Sequence, residues 1–131
     1  MMFDLYENVK SVIALKDAGV VKLDLVGDKI DTKDFQSIAF VVMSGTITDG
    51  TQTFKLTESS DNTTFTDVAS ADLIGTAPVF AATDDDTVKA FGYKGSKRYL
   101  QLASTVSGGP VTGGTFAAIA VLGNPLRAPT V

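Results

Sequence analysis

Three residue types that carry much of protein chemistry do not occur in this sequence. The chain contains no cysteine, no histidine and no tryptophan. Without cysteine, neither a disulfide framework nor a thiolate metal site can form, and the composition suits a reducing compartment. Without histidine, the serine triad, the cysteine–histidine pair and most zinc sites are excluded. Without tryptophan, a carbohydrate-binding surface loses its commonest stacking platform.

Glutamate is also scarce, because Glu7 and Glu58 are the only two in the chain. A glycosidase pair of carboxylates would therefore need aspartates brought together from loops. No arrangement of a nucleophile beside a base is visible elsewhere. We predict no catalytic residue and no cofactor-binding residue, and we expect a protein that is not an enzyme.

Acidic and glycine-rich segments are the remaining candidates for a metal or phosphate site. Asp84–Asp86 and Ser60–Thr63 offer oxygen ligands, but they lack the spaced ligands and the glycine of an EF-hand loop. Ser107–Gly114 lacks the Lys-Ser/Thr ending of a phosphate-binding loop. We therefore predict no metal ligand, solvated acidic loops and a mobile glycine-rich loop.

Charge and hydropathy exclude two classes of partner. The net charge is −4, and the basic cluster of Lys94, Lys97 and Arg98 is too small to follow a phosphate backbone. The start of the chain carries early acids where a signal peptide needs a basic stretch. No apolar run approaches the ~20 residues of a membrane span. We expect no nucleic-acid partner, no membrane partner and a soluble product made in the cytoplasm.

What the sequence does contain is strand patterning. Hydrophobic residues make up 44% of 131 residues, enough for one domain with one core. The segment Phe54–Val68 reads as a strand, a polar turn at Ser59–Asn62 and a second strand, because apolar and polar residues alternate on both sides of the turn. This hairpin is the strongest fold signal in the chain.

Further strands are predicted at regular intervals. Val20–Leu25 alternates and is closed by Gly27-Asp28, whereas Ser37–Met43 is a continuous apolar run that predicts a central strand covered on both faces. The other predicted strands are Val9–Leu15, Val88–Tyr93, Arg98–Ala103 with Leu100 and Leu102 facing inward, and Phe116–Leu122, which is apolar on both parities. About eight or nine short strands separated by turns predict an all-β, antiparallel β-sandwich.

The two ends of the chain differ from this pattern. Residues 1–8 form a predicted N-terminal arm, residues 9–123 the sandwich domain, and residues 124–131 an extended C-terminal tail whose prolines disfavour helix and central strand. Such extensions contact a neighbour, dock on their own sandwich or stay disordered.

Several motifs resemble small structural proteins of tailed bacteriophages. They are Phe54–Val68, Asp72–Gly75, Gly92–Leu102 with its Lys-Arg-Tyr, and Ala120–Pro125. The chain is similar to the capsid decoration, or cement, proteins with a jelly-roll β-sandwich. This resemblance implies a virion protein on the capsid surface, made in the host cytoplasm, that binds the major capsid protein and clamps neighbouring subunits. It also implies a homo-oligomer, either a dimer or a trimer.

If the resemblance holds, the arm and the tail are where we expect contacts with the capsid. The predicted partner-binding residues are Met2, Phe3, Leu5, Tyr6, Leu126, Arg127 and Pro129.

Two alternative functions remain open from the sequence. A carbohydrate-binding module of a phage tail or fibre would stack sugars on Tyr6, Phe65, Tyr93 and Tyr99, although Phe65 is expected in the core and the hydroxyls of Tyr93 and Tyr99 in water. A head-completion or tail-tube component would assemble into rings.

Overall fold

The computed structural model describes residues 5–17 and 19–126, and it confirms the all-β class. The strands are β1 (Lys10–Leu15), β2 (Leu25–Asp31), β3 (Phe35–Ile47), β4 (Thr51–Ser59), β5 (Thr66–Asp67), β6 (Leu73–Ile74), β7 (Val79–Phe80), β8 (Val88–Tyr93), β9 (Tyr99–Ser107) and β10 (Gly114–Pro125). Single 3₁₀ turns lie at Tyr6–Asn8 and Ser70–Asp72.

Two antiparallel sheets pack against each other. The first sheet has the order β1-β10-β3-β8-β6, and the second has the order β2-β9-β4-β5, with β7 also pairing with β4. The pairs are nested along the chain: β1 with β10, β2 with β9, β3 with β8, and β4 with β5 and β7. This nesting, with successive strands changing sheets, is the jelly-roll arrangement.

The core forms where the inward parities of the two sheets meet. Ile38, Phe40 and Val42 alternate along β3 and are buried, and Leu100 and Leu102 do the same from β9, as predicted. An aromatic cluster joins the sheets: the Phe54 ring lies 5.8 Å from Phe80 and 5.9 Å from Phe116, edge to face. These contacts fix how the sheets sit on each other.

The predicted hairpin is present, but its second strand is short. β4 pairs with β5 only at Thr57 with Asp67 and at Glu58 with Thr66. Along its whole length β4 pairs instead with β9, from Thr51 opposite Ser107 to Ser59 opposite Tyr99. The main partner of β4 is therefore a strand distant in sequence.

The predicted strand Val20–Leu25, with its end at Gly27-Asp28, is wrong. Val21 forms only an isolated bridge with Gly114, and Gly27 lies inside β2. A Cβ at Gly27 would collide with the backbone carbonyl of Ala14 and lie 2.9 Å from that of Leu102. Glycine is required there for the close approach of strands across the sandwich, not for a turn.

The last strand runs two residues beyond the predicted end of the sandwich. β10 continues through Asn124 and Pro125, and Pro125 pairs with Phe35 of β3. The pairing of β1 with β10 ends at Leu122. At Pro125, β10 therefore has a neighbouring strand on one side only, which is β3. A proline is tolerated at such a position because its missing N–H faces no strand.

The first sheet leaves one face of its central strands open. The outward parity of β3 and β10 includes Val41 and Ile119, which are half-buried, and Met43, which is 37% exposed. The expectation that Ser37–Met43 is covered on both faces is therefore wrong for this single chain: one face packs in the core and no described residue forms a layer over the other.

We predict that Phe80→Ala lowers the free energy of unfolding by about 3–5 kcal/mol, since it leaves a cavity where a fully buried ring contacted two others. Val79→Ala is the matched control, because Val79 is 44% exposed on the same short strand and should change stability by less than ~0.5 kcal/mol. Chemical denaturation at fixed protein concentration measures both values. A loss for Phe80→Ala no larger than that of the control would contradict this account of the core.

Candidate functional site

The predicted partner-binding residues come from opposite ends of the sequence, and the structure brings the described ones to one corner. β1 begins opposite Leu122 of the antiparallel β10, so the chain enters β1 beside the place where it leaves β10. A methyl of Val9 lies 4.0 Å from the Cβ position of Gly123, and the Leu126 N–H donates to the Asp34 carbonyl at 2.8 Å. We call Leu5, Tyr6 and Leu126 the terminal corner.

All three side chains of the terminal corner are open to solvent. Leu5 is 69% exposed, Tyr6 72% and Leu126 61%. Met2, Phe3, Arg127 and Pro129 lie outside the described residues. Large apolar or aromatic side chains that are exposed in this way, where the chain enters β1 and leaves β10, are the kind of anchor that a protein partner covers.

The tyrosines do not form a shared platform. Tyr93 is buried, its hydroxyl donates to Glu58 Oε1 at 2.7 Å, and it accepts from the Lys97 N–H at 3.0 Å. Burial, followed by the hydrogen bond to Glu58, raises the pKa of Tyr93 to about 12. The expectation of a Tyr93 hydroxyl in water is wrong, because this side chain bridges β8 of one sheet to β4 of the other.

Tyr99 lies instead on the outer side of the second sheet. Its ring packs under the Arg98 guanidinium, which lies 5.0 Å from the ring centre and forms a two-pronged salt bridge with Asp31 at 2.7 Å. This partner holds the pKa of Asp31 below its ordinary value. Arg98 therefore contacts Asp31 and Tyr99 of its own chain, although it lies on an exposed surface.

Two of the aspartates considered as metal ligands accept hydrogen bonds from backbone N–H groups at the ends of strands. Asp85 accepts from the Ile47 N–H at 2.9 Å, and Asp84 accepts from the Ala81 N–H at 2.8 Å and lies 3.6 Å from the Lys89 ammonium. Within residues 5–17 and 19–126, no group of three or more acidic side chains is placed to hold a metal ion.

Hydrogen bonds to the side chain of Asp49 hold the glycine-rich segment Ser107–Gly114, and the sequence did not indicate this contact. The carboxylate of Asp49 accepts the N–H groups of Val111, Thr112 and Gly113. These bonds, led by the one from Gly113, lower the pKa of Asp49. The prediction of a mobile loop overlooked this pairing, which joins two loops far apart in sequence.

The second sheet carries charged groups on its outer side. Lys55 of β4 lies 3.2 Å from Asp67 of β5, and Arg98 pairs with Asp31 of β2. In the first sheet, the outward parity runs through Ile13, Ile119, Val41 and Ala90, one residue from each of four adjacent strands. The two outer faces thus have opposite chemical character. No helix among residues 5–17 and 19–126 has the length and apolar character needed to cross a membrane.

Comparison with known proteins identifies a family and a solved structure with a similar fold. The Bbp16 family model matches residues 16–120, which is most of the sequence, and the chain therefore belongs to the Bbp16 family. The crystal structure of YomS, a protein derived from the SPBc2 prophage, is similar with a TM-score of 0.58 and 11% identity, over 88% of this chain and 92% of that one. At this identity the likeness shows the fold.

A search of curated proteins gave no match.

We predict that the Asp61 loop responds to acid at an unusually low pH. The N–H groups of Thr64 and Thr63, followed by the Ser59 hydroxyl, lower the pKa of Asp61 from 3.8 to about 2. Because the folded pKa is depressed, the stabilising contribution is present above the unfolded value and is lost as the pH falls through about 2. The amide proton shifts of Thr63 and Thr64 should titrate with that midpoint.

Asp61→Asn is the control for this titration, since the amide keeps the shape but cannot ionise. The low-pH step at Thr63 and Thr64 should disappear in that variant. A wild-type midpoint close to the ordinary aspartate value would contradict the hydrogen-bonded loop.

Proposed function

We propose that this protein is a capsid decoration protein of a tailed phage, which binds the outer surface of the assembled capsid and stabilises contacts between major capsid subunits. The observation that carries the proposal is the terminal corner: exposed apolar or aromatic side chains from both ends of the sequence lie where the chain enters β1 and leaves β10. Membership of the Bbp16 family and the phage-like motifs support the same reading.

The geometry suits this function for a physical reason. A sandwich with a well-packed core supplies a rigid body, and apolar anchors at one corner can be buried in a partner without rearranging the sheets. Contacts that are weak singly accumulate when many copies cover a shell and each copy touches more than one subunit. We extend the proposed contact set to Met2, Phe3, Arg127 and Pro129, which adjoin the corner in sequence.

The first test replaces the terminal corner. Leu5→Ser, Tyr6→Ser and Leu126→Ser together should weaken binding to undecorated capsids at least about tenfold, because the loss of three apolar anchors at once should cost at least about 1.4 kcal/mol of binding free energy. Co-sedimentation over a range of protein concentrations measures the affinity. The expected location on the capsid surface is read from electron micrographs of the same decorated particles.

The matched control is Val111→Ser, an exposed apolar side chain in the loop before β10, at the opposite end of the first sheet. It should leave binding unchanged. Wild-type protein that stays in the supernatant would overturn the decoration role, and ring-shaped assemblies in negative stain would favour the head-completion or tail-tube alternative. Binding that survives the triple replacement would remove the corner from the contact surface.

A further inference from the structure

A cleft with two lysines in its lining lies at one end of the first sheet. It is bordered by residues 35–38 at the beginning of β3, by residues 93–97 in the turn after β8 and by Ile74 of β6. Its volume is about 590 Å³, which is within the range of ligand-binding sites. No residue of the terminal corner lines it. We call it the lysine cleft.

The charge of the lysine cleft is opposite to that of the whole chain. Lys94 and Lys97 line it, and none of its described lining residues is an aspartate or a glutamate, although the chain carries a net charge of −4. In the part of the chain that the structure describes, neither ammonium group forms an ion pair, whereas Lys16, Lys55 and Lys89 each lie beside an aspartate. Two cationic groups without acidic partners favour an anionic ligand.

Apolar side chains also line the lysine cleft. Ile38 and Tyr93 are buried and Phe35 is half-buried, whereas Ile74 is 57% exposed. A ligand that covers Ile74 removes apolar surface from water, which favours association. A simple inorganic anion would leave that surface exposed. The ligand that fits the cleft therefore carries apolar groups besides its negative charge.

One border of the lysine cleft is a stretch of strand without a neighbour. β3 begins at Phe35, but its pairing with β8 begins only at Ile38, which lies opposite Tyr93. Residues 35–37 therefore pair with β10 on one side and with no described strand on the other. An extended peptide can pair with such an edge through its backbone and direct alternate side chains to opposite faces.

The turn that carries the two lysines is held in place by its own chain. The Lys94 N–H donates to the Asp72 carbonyl at 2.8 Å, and the Lys97 N–H donates to the Tyr93 hydroxyl at 3.0 Å. A Cβ at Gly95 would collide with the hydroxyl and ring of Tyr93, so glycine lets the turn lie close to that side chain. An ordered wall loses little further freedom when a ligand binds, which favours affinity.

We propose that the lysine cleft binds an extended acidic segment of another protein, with its backbone beside residues 35–37 and its carboxylates near Lys94 and Lys97. A segment in which acidic and apolar residues alternate presents one set to the lysines and the other to Ile74. Nucleic acid fits poorly, because two lysines neutralise few phosphates and the net charge of −4 repels the others. The inference goes beyond the proposed capsid role and does not depend on it.

The first test uses a synthetic probe, the acetylated and amidated pentapeptide Glu-Ile-Glu-Ile-Glu, with isotope-labelled wild-type protein. The amide signals of residues 35–38 and 93–97 should shift and saturate as the peptide is added. The matched peptide Gln-Ile-Gln-Ile-Gln should bind at least about fivefold more weakly, because contacts between carboxylates and two ammonium groups are lost. Absence of these shifts at millimolar peptide, or equal binding of both peptides, overturns the proposal.

The second test removes the two lysines. Lys94→Gln with Lys97→Gln should weaken binding of the acidic peptide at least about fivefold and leave binding of the glutamine peptide unchanged. The matched control is Lys16→Gln with Lys55→Gln, which removes the same charge outside the cleft. It should change the affinity by less than about twofold, because salt screens distant charges. An equal loss in both double variants would report overall charge alone and overturn the proposal.

The apolar contact has its own variant. Ile74→Ser should weaken binding of the acidic peptide at least about threefold, because apolar contact is lost. Val88→Ser is the control, since Val88 is 63% exposed and does not line the cleft. Circular dichroism and thermal unfolding check the fold of each variant. Unchanged binding by Ile74→Ser overturns the placement of the segment in the cleft.

Inorganic phosphate serves as an anion without apolar groups. It should bind the cleft more weakly than the acidic peptide. If it shifts the signals of residues 93–97 with the same affinity as the peptide, the cleft is a general anion site and the proposal is overturned.

Capsid binding separates failure of this inference from failure of the proposed function. Wild-type protein that co-sediments with capsids but does not bind the acidic peptide overturns only the role of the lysine cleft. Protein that binds the peptide but stays in the supernatant overturns only the decoration role. If Lys94→Gln with Lys97→Gln weakened both kinds of binding, the acidic segment would belong to the capsid.

Discussion

The packing of Phe54, Phe80 and Phe116 between the two sheets is the interaction on which the rest of the structure depends. These rings come from β4, β7 and β10, so each strand that contributes one must present its inward parity at that place. In a strand, a shift of one residue would turn every side chain to the other face. The aromatic cluster therefore sets the register of strands in both sheets, and with it the residues that face outward.

Local patterning could be predicted from the sequence, and distant pairing could not. The alternation in Arg98–Ala103 correctly placed Leu100 and Leu102 in the core, because side-chain direction follows from strand periodicity alone. The partner of β4 was missed, since hairpin patterning favours the neighbour in sequence while the sandwich pairs β4 with β9. Gly27 was read as a turn because its requirement comes from Ala14 and Leu102, which only the fold brings near.

For the candidate contact residues too, local properties could be predicted from the sequence and the arrangement in space could not. Leu5, Tyr6 and Leu126, which the sequence placed in extensions outside the core, are exposed, and their role in binding a partner stays a prediction. Their assembly into one corner follows from the antiparallel pairing of the first and last strands, which no local pattern encodes. Tyr93 was misplaced for a related reason: its hydrogen-bonding partner Glu58 lies on the opposite sheet, so a buried position for its hydroxyl was not visible in the sequence.

The core of a single chain does not explain why β3 is apolar along both of its faces. A strand that is apolar on both parities is expected where both faces are covered, and β10 has the same composition beside it. In a single chain the core accounts for only one parity, through Phe40 and Val42, while Val41 and Ile119 point away from it. If solvent covered that second face, polar side chains would be tolerated at no cost to the core, as they are at Thr53 and Lys55 of the second sheet. The absence of charge across four paired strands is therefore not required by the core of a single chain.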